Sequence, residues 1–357
     1  MATLIIGGTG FIGAAVARRL LAMGRPAVIV ARIPERAAGL AELGARVVQG
    51  DLRDAESLRR AAAGCNAVVH AAGVPRPASR RTFRAVHVEG TRAAVEAAHA
   101  AGCQRFINIA SHAVLFGGKN LDGVNDACPY PTRFIDPYSQ TKAEAEQIAL
   151  AAHDPRGLSV VSLRPAVVWG PGDTTVLPIM ARLARSPLGV LMCGDGSNIE
   201  STTFIDNLVD AVVAALDAPA RGEPGGRAYL ITDGFAISWK KFLSVQLAAA
   251  GVKPRFRRVP AIFAVPAAWT LDTVAGGLGL PVPLALFGVR SAMTTRRFIA
   301  TRARDELGYV PRVGLEDGLA ALSAWVEWLG GVAGLLRAQS GAPVGPTPKA
   351  PSARING

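Results

Sequence analysis

The chain has 357 residues, half of them apolar, with a formal charge of +12 at pH 7 and a pI near 10.3. That is enough apolar mass for a large core and too much for a disordered chain. The arginines are scattered through helical stretches with no aromatic-basic recognition pattern, which argues against a nucleic-acid partner; an arginine-rich composition, an acidic substrate or an anionic surface accounts for the charge.

From the N-terminus, short β-branched runs alternate with Ala/Leu/Arg helical stretches. The runs are Leu4 to Ile6, Ala27 to Val30, Arg46 to Val48, Ala67 to Val69, Phe106 to Ile109, Val160 to Leu163 and Ala228 to Ile231; Ala14 to Met23 and Ala93 to Ala101 are two of the helical stretches. This alternation predicts an α/β, doubly wound parallel sheet of the Rossmann type with helices on both faces. After Trp169 the alternation fails and proline and glycine become frequent, which predicts a smaller, interleaved C-terminal substrate lobe. The expected division is 1–168 for nucleotide binding with a return segment at 198–232, 169–197 and 233–335 for the lobe, and a disordered Pro/Gly/Ser-rich tail over 336–357.

The stretch 259–289 carries a single charge, Asp272, follows Arg255, Arg257 and Arg258, and is broken by Pro260, Pro266, Pro281 and Pro283. A straight membrane-spanning helix is not expected there. It reads either as a hydrophobic substrate lobe packed on the core or as an interfacial element dipping into a bilayer. Cys65, Cys103, Cys128 and Cys193 are widely separated and form no CxxC pair, and the five histidines have no ligand-like spacing, so neither a disulfide framework nor a metal site is expected. Met1-Ala2-Thr3 leads straight into the first strand without a basic segment or cleavage-type site, so the expected location is the cytoplasm, with membrane association left open through 259–289.

The first strand runs into Gly7-Gly8-Thr9-Gly10-Phe11-Ile12-Gly13, the strand-turn-helix context in which a dinucleotide pyrophosphate meets a helix N-terminus. A tight strand-to-helix turn would also want glycine. Where the second strand ends there is no acid until Glu35, and Arg32 suits a 2'-phosphate, which favours NADP slightly over NAD. Asp51 and Leu52 follow the third strand, where a carboxylate can meet the adenine amino group; a helix N-cap region is the alternative, and Asp54 suits that role better. Ala71, Ala72 and Gly73 end the fourth strand with side chains small enough for the cofactor to lie against the backbone. In Pro137-Tyr138-Ser139-Gln140-Thr141-Lys142, Tyr138 and Lys142 lie four residues apart on one helix face, so the ammonium can favour the phenolate and bring its pKa toward neutrality. Ser111, after an apolar run, completes a candidate set for moving a proton and a hydride.

The glycine loop, Arg105 to Ser111, Tyr138 to Glu146, Leu163-Arg164-Pro165 through Asp173, Gly194 to Asn198, Phe204 to Asn207 and Ala303 to Tyr309 together resemble the extended short-chain dehydrogenases/reductases. The resemblance is specifically to the 3β-hydroxysteroid dehydrogenase family and its sterol-4α-carboxylate 3-dehydrogenase branch. It implies Tyr138 as acid/base, Lys142 as its tuner and nicotinamide-ribose contact, Ser111 as holder of the substrate oxygen, and Pro165 and Val168 beside the nicotinamide. It further implies a secondary alcohol/ketone oxidoreductase acting on a bulky apolar substrate, foremost a 3β-hydroxysterol, including a 4-carboxysterol that decarboxylates after oxidation. A nucleotide-sugar epimerase or dehydratase, a long-chain β-keto acid reductase, and a non-catalytic NADP-sensing or assembly protein are the competing expectations; a homodimer is compatible with the family. Two departures stand out: His87 where the family usually has Asn, and Ala110 where it often has Ser. His112, next to Ser111, is a candidate pocket residue, whereas Trp325 and Trp328 read as core or interface.

Overall fold

The computed structural model describes residues 2–74, 78–218, 225–278 and 285–338. Its strands are β1 (Ala2–Ile6), β2 (Ala27–Ala31), β3 (Arg46–Gln49), β4 (Cys65–His70), β5 (Arg105–Ile109), β6 (Leu121–Val124) and β7 (Ser159–Pro165), followed by β8 (Val167–Trp169), β9 (Val190–Cys193), β10 (Ile199–Phe204), β11 (Arg227–Ile231), β12 (Ala236–Ser238), β13 (Phe256–Val259) and β14 (Arg296–Phe298).

Seven strands form one parallel sheet in the order β11-β7-β5-β4-β1-β2-β3. The reason lies in the residues: β1 and β2 are apolar on both faces, and β4, β5 and β7 place apolar side chains in both layers, as a sheet covered on both sides requires. Ile5, Ile29, Val69, Ile107 and Val161 point to one layer, under the helices Phe11–Ala22 and Ile205–Asp217. Leu4, Val28, Val68, Phe106 and Val160 point to the other, under Ala55–Ala62 and Gly90–Ala100. Chain order reverses between β1 and β4, so a crevice opens at the carboxyl ends of these strands, the place where such sheets bind ligands.

A second sheet has the order β12-β10-β14-β6, with β8 also on β10, and a third pairs β13 with β9. Within 198–232, Ile205–Asp217 packs on the first sheet and β11 joins its edge, whereas β10 belongs to the second sheet, contrary to a return of that whole segment. Its Ser201-Thr202-Thr203 run explains this, because these side chains make polar bonds to the second lobe and the crossing rather than packing on an apolar layer. The two sheets are stitched where β7 passes into β8: the Ala166 N–H donates to Ile231 O (3.0 Å) and Thr203 Oγ1 (2.9 Å). Beside it, buried Asp233 accepts from Trp169 Nε1 (2.9 Å), Thr202 Oγ1 (2.7 Å), Phe204 N (2.6 Å) and Asn207 Nδ2 (2.8 Å).

Residues 336–338, expected in the tail, close the helix Gly331–Ala338, whose Leu335 is fully buried with Trp325; 339–357 lie outside the described residues. Trp328 is partly exposed, at 44%. In the apolar stretch, Ala261–Gly277 and Ala285–Ser291 are helical, and among the described residues no single helix is long and apolar enough to cross a membrane.

Candidate active site

The glycine loop turns at Gly7, whose φ of 90° is open to glycine. It is pressed against the end of β4: a Cβ at Gly7 would lie 2.6 Å from the Ala72 nitrogen and 2.8 Å from the Ala71 carbonyl carbon. A Cβ at Gly13 would lie 2.3 Å from Gly7 O, so the helix starts hard against the turn. Gly10 caps that helix with no side-chain hydrogen bond, and Thr9 and Gly10 are exposed. The first helical N–H groups are thus presented to the crevice with no acidic side chain in the first turn, a cradle that fits a pyrophosphate. Phe11 and Ile12 are partly buried, Phe11 lying within reach of Gly172.

Arg32, one residue beyond β2, is exposed. Asp51 is already engaged: it accepts from the Arg53 backbone (2.9 Å), Nε (3.1 Å) and Nη2 (2.8 Å), and this hydrogen bonding, helped by the charges of Arg53 and Arg32, holds its carboxyl down at about 2. Asp54 is the N-cap, its Oδ1 accepting from Glu56 N and Ser57 N, which leaves Asp51 at the mouth of the turn. Leu52 is partly buried and covers Gly90, where any Cβ would meet its Cδ2 at 2.5 Å. Gly73 is exposed, while Pro165 is buried and Val168 partly so, both beyond the carboxyl end of β5 where β7 passes into β8.

Asp136 and Pro137 start the next key helix, Pro137–Ala151: Asp136 Oδ1 accepts from Tyr138 N (3.0 Å) and Ser139 N (3.1 Å), while Pro137 occupies the first turn. This fixes Tyr138 at the helix start, half-buried, its ring edge-on to His87 (5.3 Å between centroids) and Phe83 (5.8 Å). One turn further, buried Lys142 donates from Nζ to Ile109 O (2.8 Å), the last carbonyl of β5. Ser111 follows two residues later, half-buried, with Oγ accepting from Ala113 N (3.2 Å). The end of β5 therefore gathers Lys142 and Ser111, and the helix carries Tyr138 above the lysine. Burial lowers the Lys142 ammonium to about 8, against the pull of the Glu146 carboxylate. The site holds a half-buried phenol, a cation one turn away and a hydroxyl, the set needed to pass a proton to or from an alcohol.

Below them lies a charged layer that sequence reasoning did not resolve. Glu146, fully buried, accepts from Arg164 Nε (3.0 Å) and Nη2 (2.9 Å), Tyr130 Oη (2.9 Å) and Ser162 Oγ (2.7 Å), and Ser162 accepts from Asn108 Nδ2 (3.0 Å). Burial, then the Glu146 charge, pushes the Tyr130 phenol up, so it stays protonated as a donor and does not compete with Tyr138 as an acid/base. The signal was present: Glu146 stands four residues after Lys142 on the same helical face. Glu146→Gln should cost about 3–5 kcal/mol in urea unfolding, because Arg164 is left as a buried cation without a counter-charge. It should also move the alkaline limb of activity to lower pH, since Glu146 is the group that raises Lys142.

The two departures have clear surroundings. His87 Nε2 accepts the Val74 N–H (3.3 Å) and Nδ1 meets Thr141 Oγ1 (3.0 Å), whose own hydroxyl reaches Pro137 O (2.8 Å). These bonds fit the neutral ring with its proton on Nδ1, so His87 ties the segment after β4 to the Tyr138 helix through backbone and hydroxyl contacts. Ala110 is buried. His112 is buried too, Nδ1 on Pro165 O (3.1 Å) and its ring 5.6 Å from Phe298. His70, at the end of β4, contacts Thr91 (3.0 Å) and is driven down to about 3 by burial and then by the Lys142 charge, so it is neutral at working pH. A cavity of about 850 Å³ opens elsewhere, between β14, the helix Thr301–Leu307 and residues 232–236; neither the glycine loop nor Ser111, Tyr138 or Lys142 lines it.

Comparison with known proteins agrees with this geometry. The model of the 3-beta hydroxysteroid dehydrogenase/isomerase family matches residues 4–260. The 2-alkyl-3-oxoalkanoate reductase of Stenotrophomonas maltophilia is 34% identical over 91% of this chain and 99% of its own length. The 3beta-hydroxysteroid-dehydrogenase/decarboxylase isoform 2 of Arabidopsis thaliana is 32% identical over 76% of this chain and 50% of its own. Among solved structures, MoeE5 in complex with UDP-glucuronic acid and NAD superposes with a TM-score of 0.71 at 25% identity, over 92% of this chain and 99% of that one.

Proposed function

Because this chain belongs to the 3-beta hydroxysteroid dehydrogenase/isomerase family, and so is an NAD(P)-dependent extended short-chain oxidoreductase acting on hydroxyl and keto groups of small molecules, we propose that it interconverts a ketone and a secondary alcohol on a bulky apolar lipid. The observation that carries this is Lys142: a cation one turn beneath the half-buried Tyr138, held on the carbonyl of Ile109, which lies two residues before Ser111.

The glycine cradle would hold the pyrophosphate, with Ala71, Ala72 and Gly73 lying along the dinucleotide and Pro165 and Val168 beside its nicotinamide ring. When bound, the nicotinamide supplies or accepts the hydride. The chain does the rest. In the reducing direction Tyr138 gives its proton to the carbonyl oxygen as negative charge develops there, Ser111 Oγ donates to the same oxygen, and the Lys142 cation stabilises the phenolate left behind. In the oxidising direction the phenolate takes the hydroxyl proton. A carboxylate on the carbon next to the resulting ketone would leave as carbon dioxide, its bonding pair passing into the carbonyl as an enolate that water then protonates.

Two substrate readings of this class stand. A 3β-hydroxysterol is supported by the family and by the plant decarboxylase relative. A long-chain 2-alkyl-3-oxoalkanoate is favoured by the bacterial reductase, which aligns over nearly its whole length. A nucleotide sugar is disfavoured because the lobe segment 259–289 offers one charged residue, an acid, where a diphosphate needs cations. Following reduced-nicotinamide absorbance with a panel of 3-oxosterols, long-chain 3-oxoalkanoates and nucleotide sugars tests the class; turnover of the sugars alone would overturn it. For the cofactor we favour NADP, held at its 2'-phosphate by Arg32. Arg32→Ala should then weaken NADPH binding about tenfold and leave NADH binding unchanged, as read by nicotinamide fluorescence titration; equal losses for both would remove the preference.

A further inference from the structure

We propose that the helix Ala261–Gly277, with the arginines that precede it, lies flat on an anionic lipid surface. Ile262 (75% exposed), Phe263 (70%), Trp269 (59%) and Val274 (54%) stand open to solvent, and Leu271 and Leu278 are more than half exposed. At 100° per residue they span about half of the helix circumference. The other exposed positions on that arc are Pro266, Ala267, Thr270, Thr273 and Gly277, so it carries no charge. Asp272, the helix's single ionisable residue, is on the inner side, where its Oδ2 accepts from Leu286 N (2.9 Å). A solvated helix of a globular protein shows the opposite arrangement, with its charges outward, and a contiguous exposed apolar face marks an interaction surface.

Charge decides which partner this face fits. Arg255, Arg257 and Arg258 are exposed immediately before the helix, and β13 sets Arg257 beside Leu191, itself more than half exposed on β9. The rim is therefore cationic and the centre apolar, on a chain whose net charge is +12. Guanidinium groups beside exposed aromatics match lipid phosphates above acyl chains. A second copy of the same face would instead bring like-charged rims together.

The test uses the full chain without substrate, sedimented with phosphatidylcholine vesicles and with vesicles containing about a third phosphatidylglycerol. The expected result is sedimentation with the anionic vesicles at low ionic strength, with a blue shift of tryptophan emission, and about tenfold weaker partitioning for Arg257→Glu/Arg258→Glu. Phe263→Ser/Trp269→Ser should stay in the supernatant. Both double variants should keep wild-type nicotinamide-cofactor affinity, which shows that they are folded. Wild-type protein left in the supernatant, partitioning insensitive to the arginine changes, or a dimer in size-exclusion chromatography that Phe263→Ser/Trp269→Ser splits would each overturn the proposal.

Discussion

Tyr138→Phe is expected to lower kcat for ketone reduction by roughly 10²–10⁴-fold, the range that a positioned general acid contributes, while NADPH affinity stays within about twofold, or about 0.4 kcal/mol, of wild type. The substitution removes one oxygen and leaves the ring in its edge-on contacts with His87 and Phe83, so the helix start capped by Asp136 has no reason to move. Rate loss with intact cofactor binding places the effect on the chemical step. Turnover equal to wild type would remove Tyr138 from the mechanism, and Tyr130, partly buried and held protonated beside Glu146, could not replace it.

Lys142→Met should separate activity from stability. The ammonium is buried and sits at about 8 rather than near 10.5, with desolvation as the main cause. Below pH 8 both folded and unfolded chains carry the proton, and the folded state bears the full cost of the buried charge. Between about 8 and 10.5 the unfolded chain holds the proton and the folded one releases it, so wild-type stability rises with pH across that window. A shift of this size corresponds to about 3 kcal/mol, offset in the variant by about 1–3 kcal/mol for the Ile109 carbonyl left without its donor. The methionine variant should therefore be as stable as wild type at pH 7 or slightly more so, should lack the alkaline rise, and should lose roughly 10²-fold or more in kcat, as expected when the cation assisting a general acid is removed. Wild-type reduction should fall above about pH 8 as Lys142 loses its charge. Urea melts at several pH values beside a pH-rate profile check all of this; a variant with wild-type activity, or one that keeps the alkaline rise, contradicts the assignment.

The sheet was legible in the sequence because a strand covered on both faces leaves a short, mainly apolar run, and Leu4 to Ile6, Ala27 to Val30, Phe106 to Ile109 and Val160 to Leu163 all fall inside observed strands. The short strands were not. Leu121–Val124 and Arg296–Phe298 lack such runs and exist because they pair with each other across more than 170 residues, a tertiary preference that local composition does not record. The glycine loop and the Tyr138/Lys142 pair could be read from spacing, since backbone approach and helix geometry act within a few residues. What could not be read was the support beneath them: Glu146 with Arg164, Ser162 and Tyr130 draws on a helix, a strand and a loop. His87 was visible as a departure, but its bonds to the Val74 backbone and the Thr141 hydroxyl depend on segments brought together only by folding.

Ala166 and Asp233 knot the two sheets where one strand ends and the next begins, through six hydrogen bonds reaching β8, β10, β11 and the helix Ile205–Asp217. Neither region can melt without tearing the other's edge. Heating should accordingly give a single calorimetric peak whose enthalpy equals the van't Hoff value rather than two resolved steps, and Asp233→Ala should be the substitution that splits it, because it unties the lobe while leaving the seven-stranded layer whole.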